Sequence, residues 1–286
     1  MKTEWLILLR KSLGAVKLTR WRNLVFRERC PVFGQESANI EPSSHANPAG
    51  ITGVRAYAIG DIHGRLDLLD KLLTEIDRDD ATRPKKETQL IFLGDLIDRG
   101  PHSKQVLDRV IELGRTNRKC IVIRGNHEAS LLQGLFENPR ILPQWLRHGG
   151  FETAESYGLS RGQIMSAKGA NLQHLLLSAI PESHLKFLSD TVAQVRFGDY
   201  LFVHAGIRPG VPLDQQKPED LMWIRSAFLE SQADFGCTIV HGHTISETAI
   251  IRPNRIGIDT GAYRTGRLTA LCIDEDNTHF IDAHIA

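Results

Sequence analysis

Five short clusters of polar residues each follow an apolar run. AIGDIHG carries Asp61 and His63, and FLGDLIDRG carries Asp95, Asp98 and Arg99. VIRGNHE carries Arg124, Asn126, His127 and Glu128; LFVHAG carries His204; TIVHGHT carries His241 and His243. Carboxylates, an amide and imidazoles form a mixed oxygen–nitrogen donor set, which suits Mn, Fe or Zn and not a thiolate-bound soft metal. The donors outnumber what one tetrahedral zinc takes. Two metals sharing one carboxylate would use them all. Taken singly each signal is ordinary: an Asp after a strand is commonly a turn former or helix cap, and a lone His a satisfied polar residue. The repetition at five run ends is what carries the reading. Glycines beside the donors (Gly60, Gly64, Gly94, Gly100, Gly125, Gly206, Gly242) permit sharp turns and close backbone approach.

Such clusters need strands that end at one mouth. VRAYAI, QLIFL and CIVI are short apolar runs, and helical patterns separate them. The first has Leu66, Leu69, Leu72, Leu73 and Ile76 on one stripe; the second contains Val106, Val110, Ile111 and Leu113. This alternation predicts an α/β core with parallel strands at its start, and ligands bind outside the carboxyl ends of such strands. Residues 129–190 read as mostly helical, with no evident chemistry. Strands are expected at 192–197 and 200–203, joined as a hairpin by Gly198–Asp199. A helix near 218–231, the strand CTIVH and a strand-rich tail follow.

The chain has 286 residues, 41% hydrophobic and 24% charged. That composition fits a soluble globular protein with one large domain. Its formal charge of +1 excludes a chain basic throughout, so no specific nucleic-acid partner is expected. The sum hides an asymmetry. Eight Lys and Arg against Glu4 and Glu28 give residues 1–30 a net +6, leaving −5 for the remainder. Residues 1–33 therefore read as a basic extension and 34–53 as a Gly/Pro/Ser-rich linker, ahead of a catalytic domain over 54–286. The extension suggests contact with an acidic partner or an anionic membrane surface. Four cysteines without a Cys-x-x-Cys pair argue against a disulfide framework or structural zinc. Trp5–Leu9 is too short an apolar run for a membrane span or a usual secretory signal, so a cytoplasmic location is expected.

The ordered set GDIHGRLDLL, GDLIDRGPHS, RGNHE, His-Ala-Gly and Gly-His-Thr resembles the calcineurin-like metallophosphoesterases, specifically their phosphoprotein phosphatase branch, over about residues 54–275. The resemblance implies an α/β metallophosphoesterase fold: a two-sheet β-sandwich flanked by helices, with a dinuclear metal centre at the strand ends. It implies that Asp61 and His63 hold the first metal, that Asp95 bridges both, and that Asn126, His204 and His243 hold the second. The Gly-His pairing selects His243 over His241, which reads as a supporting or structural residue. Two divalent ions are implied, manganese first, with iron or zinc as alternatives.

The chemistry agrees with these roles. Phosphate-monoester hydrolysis is among the slowest uncatalysed reactions, and two metals can activate water and clamp phosphoryl oxygens. In-line transfer needs further positive charge, for which Arg99 and Arg225 of MWIR are candidates. His127, oriented by Asp98, is placed to protonate a leaving alkoxide, and the resemblance implies the same pair. Tyr263 in DTGAY is a candidate for the pocket side, and residues 129–190 for its rim. Arg124, Glu128 and Asp259 read as structural. The expected activity is hydrolysis of phosphoserine or phosphothreonine in proteins. The alternative is symmetrical cleavage of dinucleoside tetraphosphates, and a distant third is non-catalytic phosphate binding.

Overall fold

The computed structural model describes residues 48–116 and 118–285. The basic extension and most of the linker lie outside them. Two five-stranded sheets form the centre. The first has the order β10-β9-β1-β2-β3, from β1 (Val54–Ile59), β2 (Glu87–Phe92), β3 (Lys119–Val122), β9 (Arg267–Asp274) and β10 (Asn277–His284). β1, β2 and β3 run parallel, as the strand–helix alternation predicts, and β9 and β10 add an antiparallel edge. The second has the order β4-β5-β6-β8-β7, from β4 (Gln194–Phe197), β5 (Tyr200–Val203), β6 (Thr238–His241), β7 (Ile250–Arg252) and β8 (Arg255–Gly257). β4 and β5 form the expected hairpin. β4 begins two residues later than predicted, because Val192 forms only an isolated bridge to Ile123.

Side-chain alternation explains the layering. On β1, Ala56 and Ala58 face the second sheet and pack with Val195, Phe202, Val240 and Ile258. Tyr57 and Ile59 face the other way and pack under helices. The helix α1 (Leu66–Ala81) buries Leu68, Leu69, Leu72, Leu73 and Ile76 on that face. Each such side chain contributes about 1.5–3 kcal/mol when removed from water. The outer face of the second sheet has its own small core, in which Leu201, Val203 and Ile239 meet Leu221, Ile224 and Phe228.

Helices α2 (Ser103–Leu113) and α3 (Asn126–Phe136) leave the mouths of β2 and β3. Five short helices then follow: α4 (Leu142–Trp145), α5 (Phe151–Ser156), α6 (Arg161–Ser166), α7 (Ala170–Ala179) and α8 (Glu182–Ser189). A π-helical turn, Leu146–Gly150, joins α4 to α5. The single helix expected near 218–231 is instead two, α9 (Pro218–Trp223) and α10 (Ser226–Leu229), with α11 (Ala262–Thr265) after β8. The break falls at Ile224 and Arg225, whose φ/ψ of −132°/−105° is not helical. Leu221, Ile224 and Phe228 are all buried in the outer core on either side of the break. Residues 48–50 are also not free: Ala49 N–H donates to Asp199 Oδ2 at 3.0 Å and Gly50 N–H to the Glu275 carbonyl at 2.7 Å. Among the described residues no helix is long and apolar enough to cross a membrane.

Candidate metal centre

All five polar clusters meet at one edge of the sandwich. β1, β2 and β3 deliver the first three from one sheet, and β5 and β6 deliver His204, His241 and His243 from the other. The Asp95 carboxylate is the hub. Its Oδ2 lies 3.6 Å from His63 Nε2, 3.5 Å from His204 Nε2 and 3.9 Å from His127 Nε2. Two groups of donor atoms share it, His63–Asp95–His127 and Asp95–His204–His243. Asp61 closes the far end: the His243 backbone N–H donates to both its oxygens, at 3.2 and 3.1 Å. Asn126 Oδ1 lies 2.9 Å from His204 Nε2.

The donor atoms are aimed inward, and Arg99 Nη1 reaches one of them, His63 Nε2, at 2.8 Å. His63 Nδ1 donates to the Ile97 carbonyl at 2.9 Å and His204 Nδ1 to the Leu93 carbonyl at 2.8 Å. A carbonyl only accepts, so in the neutral rings Nε2 carries the lone pair. Burial pushes His63 and His204 below the usual histidine range, and His243 down to about 3, which keeps the rings neutral. His243 Nε2 is buried with no hydrogen-bond partner. His204 Nε2 faces two oxygens, those of Asp95 and Asn126. Buried acceptors facing one another cost free energy unless a cation lies among them. These residues therefore fit one or two divalent cations with oxygen and nitrogen ligands. For Asp95, burial would raise the carboxyl, but His204, His127, His63 and His243 outweigh it and hold it well below the carboxylate range. Asp61 is the opposite case: burial, Asp259 and Asp95 push it well above.

Backbone strain is concentrated in the same place. His63, Asp95, Asp98, Arg99 and His243 all have left-handed φ, between 48° and 74°, and among the described residues only Glu275 joins them as a non-glycine. Such conformations cost on the order of 1 kcal/mol or more each and persist when surrounding bonds over-determine them. Glu128 supplies part of that constraint. Its carboxylate accepts from Asp95 N–H at 2.9 Å, Leu96 N–H at 2.8 Å and Gly125 N–H at 3.0 Å. Burial and Asp95 push Glu128 up to about 7, and the donated N–H of Ile97 acts against the rise. Gly94, at φ 101°, is where the loops touch: a Cβ there would lie 2.6 Å from Gly125 N.

His127 and Asp98, expected from sequence to act together, are in contact. His127 Nδ1 donates to Asp98 Oδ2 at 2.7 Å. Burial alone would lower His127, but Asp95 and the Asp98 contact prevail and raise it to about 9. The other Asp98 oxygen accepts from Thr153 Oγ1 at 2.6 Å, and Thr153 Oγ1 in turn accepts from Asp98 N–H at 2.9 Å. Thr153 lies on α5, within a stretch that shows no chemistry in sequence. A Thr inside a helix carries no local signal for a contact 55 residues distant.

Arg99 Nη1 donates to His63 Nε2 at 2.8 Å, and its Nη2 lies 3.0 Å from His127 Nε2. Its guanidinium also lies 4.6 Å over the Tyr263 ring, which meets His63 edge-on at 5.2 Å. Arg225 is exposed at the α9–α10 break, with Nη1 3.5 Å from Thr244 Oγ1, one residue past His243. Beside it Trp223 is 48% exposed and meets His243 edge-on at 6.3 Å. Trp223 belongs to the same MWIR segment that singles out Arg225 in the sequence. His241 stands apart, with its ring against Phe228 at 5.2 Å and Nδ1 donating to the Gly242 carbonyl at 3.0 Å. Arg124 donates to Thr191 Oγ1 and to the carbonyls of Ser189 and Thr191, bracing a loop. Asp259 accepts from Gly261 N–H at 2.9 Å.

A two-sheet sandwich with paired His/Asp groups at its edge defines a metallophosphoesterase. The family model for calcineurin-like phosphoesterases matches residues 54–266, and the chain belongs to that family. It is similar to a symmetrical bis(5'-nucleosyl)-tetraphosphatase of Janthinobacterium sp. (strain Marseille), 28% identical over 272 residues, covering 78% of this chain and 94% of the relative. It is also similar to the asymmetrical bis(5'-nucleosyl)-tetraphosphatase PrpE of Oceanobacillus iheyensis, 28% identical, with 74% and 86% covered. A symmetrical enzyme of Acidovorax ebreus (strain TPSY) is 33% identical over 157 residues, and the chain spans only 44% of that relative's length. Among solved structures, one provisionally assigned as a diadenosine tetraphosphatase shares the fold with a TM-score of 0.57 at 20% identity, covering 83% of this chain and all of that one.

Proposed function

We propose that the chain hydrolyses dinucleoside polyphosphates, in preference to the phosphoserine or phosphothreonine proteins that its motifs first suggest. The observation that supports this reading is a pair of aromatic–arginine flanks, one beside each histidine group. Tyr263 and Arg99 adjoin His63; Trp223 and Arg225 adjoin His243. A substrate with a nucleobase at both ends and phosphates between would meet a ring and a guanidinium on either side of the reacting phosphorus. The names of the similar proteins point to the same substrate class.

In this reading Asp61, His63, Asp95, Asn126, His204 and His243 hold two divalent cations, manganese before iron or zinc, with Asp95 shared. Bound there, the cations would supply a deprotonated water at neutral pH and neutralise phosphoryl oxygens. The protein does the rest. Arg99 and Arg225 fork onto non-bridging oxygens, where charge spreads in the transition state. His127 holds a proton toward the bridging oxygen as it departs, and Asp98 fixes its tautomer. Glu128 holds the Asp95 loop rigid.

The test is a panel of diadenosine tetraphosphate, a phosphoserine peptide and an aryl phosphate, each with Mn²⁺, Fe²⁺ or Zn²⁺ and with chelator. Chelator-sensitive turnover with kcat/KM highest on the dinucleotide is expected. Two ADP would mark symmetrical cleavage, and ATP with AMP asymmetrical cleavage. A kcat/KM higher on the phosphopeptide would replace this reading with the protein phosphatase one.

A further inference from the structure

A cleft of about 700 Å³ opens outward from Arg99 and Tyr263, lined beyond them by Arg147, Phe151, Glu152 and Arg161. That volume is in the range of small-molecule sites. The helical stretch builds its outer wall: Arg147 lies on the π-helical turn, Phe151 and Glu152 open α5, and Arg161 opens α6. Three guanidiniums face one carboxylate. Arg161 lies 4.7 Å over the Phe151 ring, and its pairs with Glu152 and Glu155 are long, at 3.9 and 3.7 Å. Arg147 is exposed. None of these residues takes part in the chemistry derived above except Arg99 and Tyr263, the inner lip.

The inner lip fixes which part of a substrate enters. Arg99 Nη2 is 3.0 Å from His127 Nε2, the atom that faces the departing oxygen. Water oxygen bonds to phosphorus, the bridging P–O bond breaks, and its electron pair leaves on the departing group from the His127 side. That side continues into the cleft. We infer that the cleft seats the leaving nucleoside polyphosphate, with Arg147 and Arg161 on the phosphates beyond the scissile bond and Phe151 beside the base. Guanidiniums match phosphate oxygens in pairs, and an aromatic face accepts any base. The inference rests on the dinucleoside polyphosphate reading but names residues that reading does not need.

The experiment compares the full chain with R147A/R161A, after thermal unfolding has shown equal stability. Two readouts are taken: kcat/KM on diadenosine tetraphosphate and on an aryl phosphate, and binding of ADP by calorimetry with Mn²⁺. The loss on the dinucleotide should exceed that on the aryl phosphate at least tenfold, and ADP binding should weaken by a similar factor. Equal losses on both substrates with ADP binding retained would overturn the assignment. If the wild-type chain cleaves no dinucleotide, the proposed function falls, and ADP binding alone decides the cleft. Weakened binding in the variant then supports a nucleoside polyphosphate seat, and equal or absent binding in both proteins overturns it.

Discussion

In the proposed mechanism His127 depends on Thr153, which holds the carboxylate that orients it. The Thr153 hydroxyl donates to Asp98 Oδ1 while accepting the Asp98 N–H. Thr153→Val takes the hydroxyl donor from buried Asp98 Oδ1 while the Asp98 N–H keeps Ser103 Oγ at 3.0 Å, which costs about 1–3 kcal/mol. Steady-state kinetics of Thr153→Val should show kcat down roughly 10–100-fold. Metal content should stay unchanged by elemental analysis, and Thr153→Ser should restore most of the rate. A variant that loses metal would make Thr153 a fold residue only. His127→Gln tests the leaving group itself. A departing phosphate loses its last proton at about pH 6 and needs little help, whereas a serine alkoxide needs a full proton. His127→Gln should therefore lose at least tenfold more rate on a phosphoserine peptide than on diadenosine tetraphosphate. Equal losses would show that His127 serves binding and not proton transfer.

At the scale of elements, the strands and their polar ends could be read directly, since apolar runs of strand length each stopped at a glycine and a donor. The helical stretch could not be read in the same way. Its contribution comes from contacts across long sequence distances, such as Thr153 to Asp98, and from one backbone feature, Gly149. That glycine has φ 113°, its carbonyl accepts the Arg99 N–H at 3.1 Å, and a Cβ would lie 2.5 Å from Arg99 N. Gly149→Ala should push the Arg99 loop outward, lowering kcat/KM by tens-fold and stability by about 1–3 kcal/mol, as kinetics and urea melts would show. The kink at Arg225 could not be read either, because Leu221, Ile224 and Phe228 keep a helical spacing across it and the apolar pattern is the same with or without the break. A further link is His184 on α8. It accepts at Nδ1 from Tyr157 Oη (2.7 Å), and its Nε2 donates to Asp108 Oδ1 on α2 (2.9 Å). Burial lowers His184 from 6.5, although Asp108 acts in the other direction. The unfolded chain therefore takes up a proton before the folded one does, and stability falls as pH drops below 6.5. In chelator, unfolding free energies of His184→Gln measured from pH 7 to 5 should fall less steeply than those of the wild type. Parallel curves would exclude His184 as a source of the acid sensitivity.

For the molecule as a whole, the centre is a fastener between two sheets. One sheet supplies Asp61, His63, Asp95 and Asn126 at the ends of β1, β2 and β3, and the other supplies His204 and His243 at the ends of β5 and β6. The apolar layer between the sheets holds them face to face, but at this edge the facing groups are carboxylates, lone pairs and strained backbone, which oppose assembly. A cation that binds only when both sheets are in place stabilises the folded state by mass action. At free metal near a thousand times Kd this amounts to about 4 kcal/mol. For a domain of this size that shifts Tm by on the order of 10 °C. Chelation should lower Tm by about that much, and re-addition of Mn²⁺ should restore it. Asp95→Asn should melt near the chelated wild type and respond little to metal, because the shared carboxylate is the one donor common to both histidine groups. Hydrogen exchange would localise the effect: protection lost on chelation should fall at the ends of β1, β2, β5 and β6 and spare the β9–β10 edge. A metal-independent Tm would mean that the sheets are held by their apolar layer alone, and that the strain at His63, Asp95 and His243 is offset within each loop.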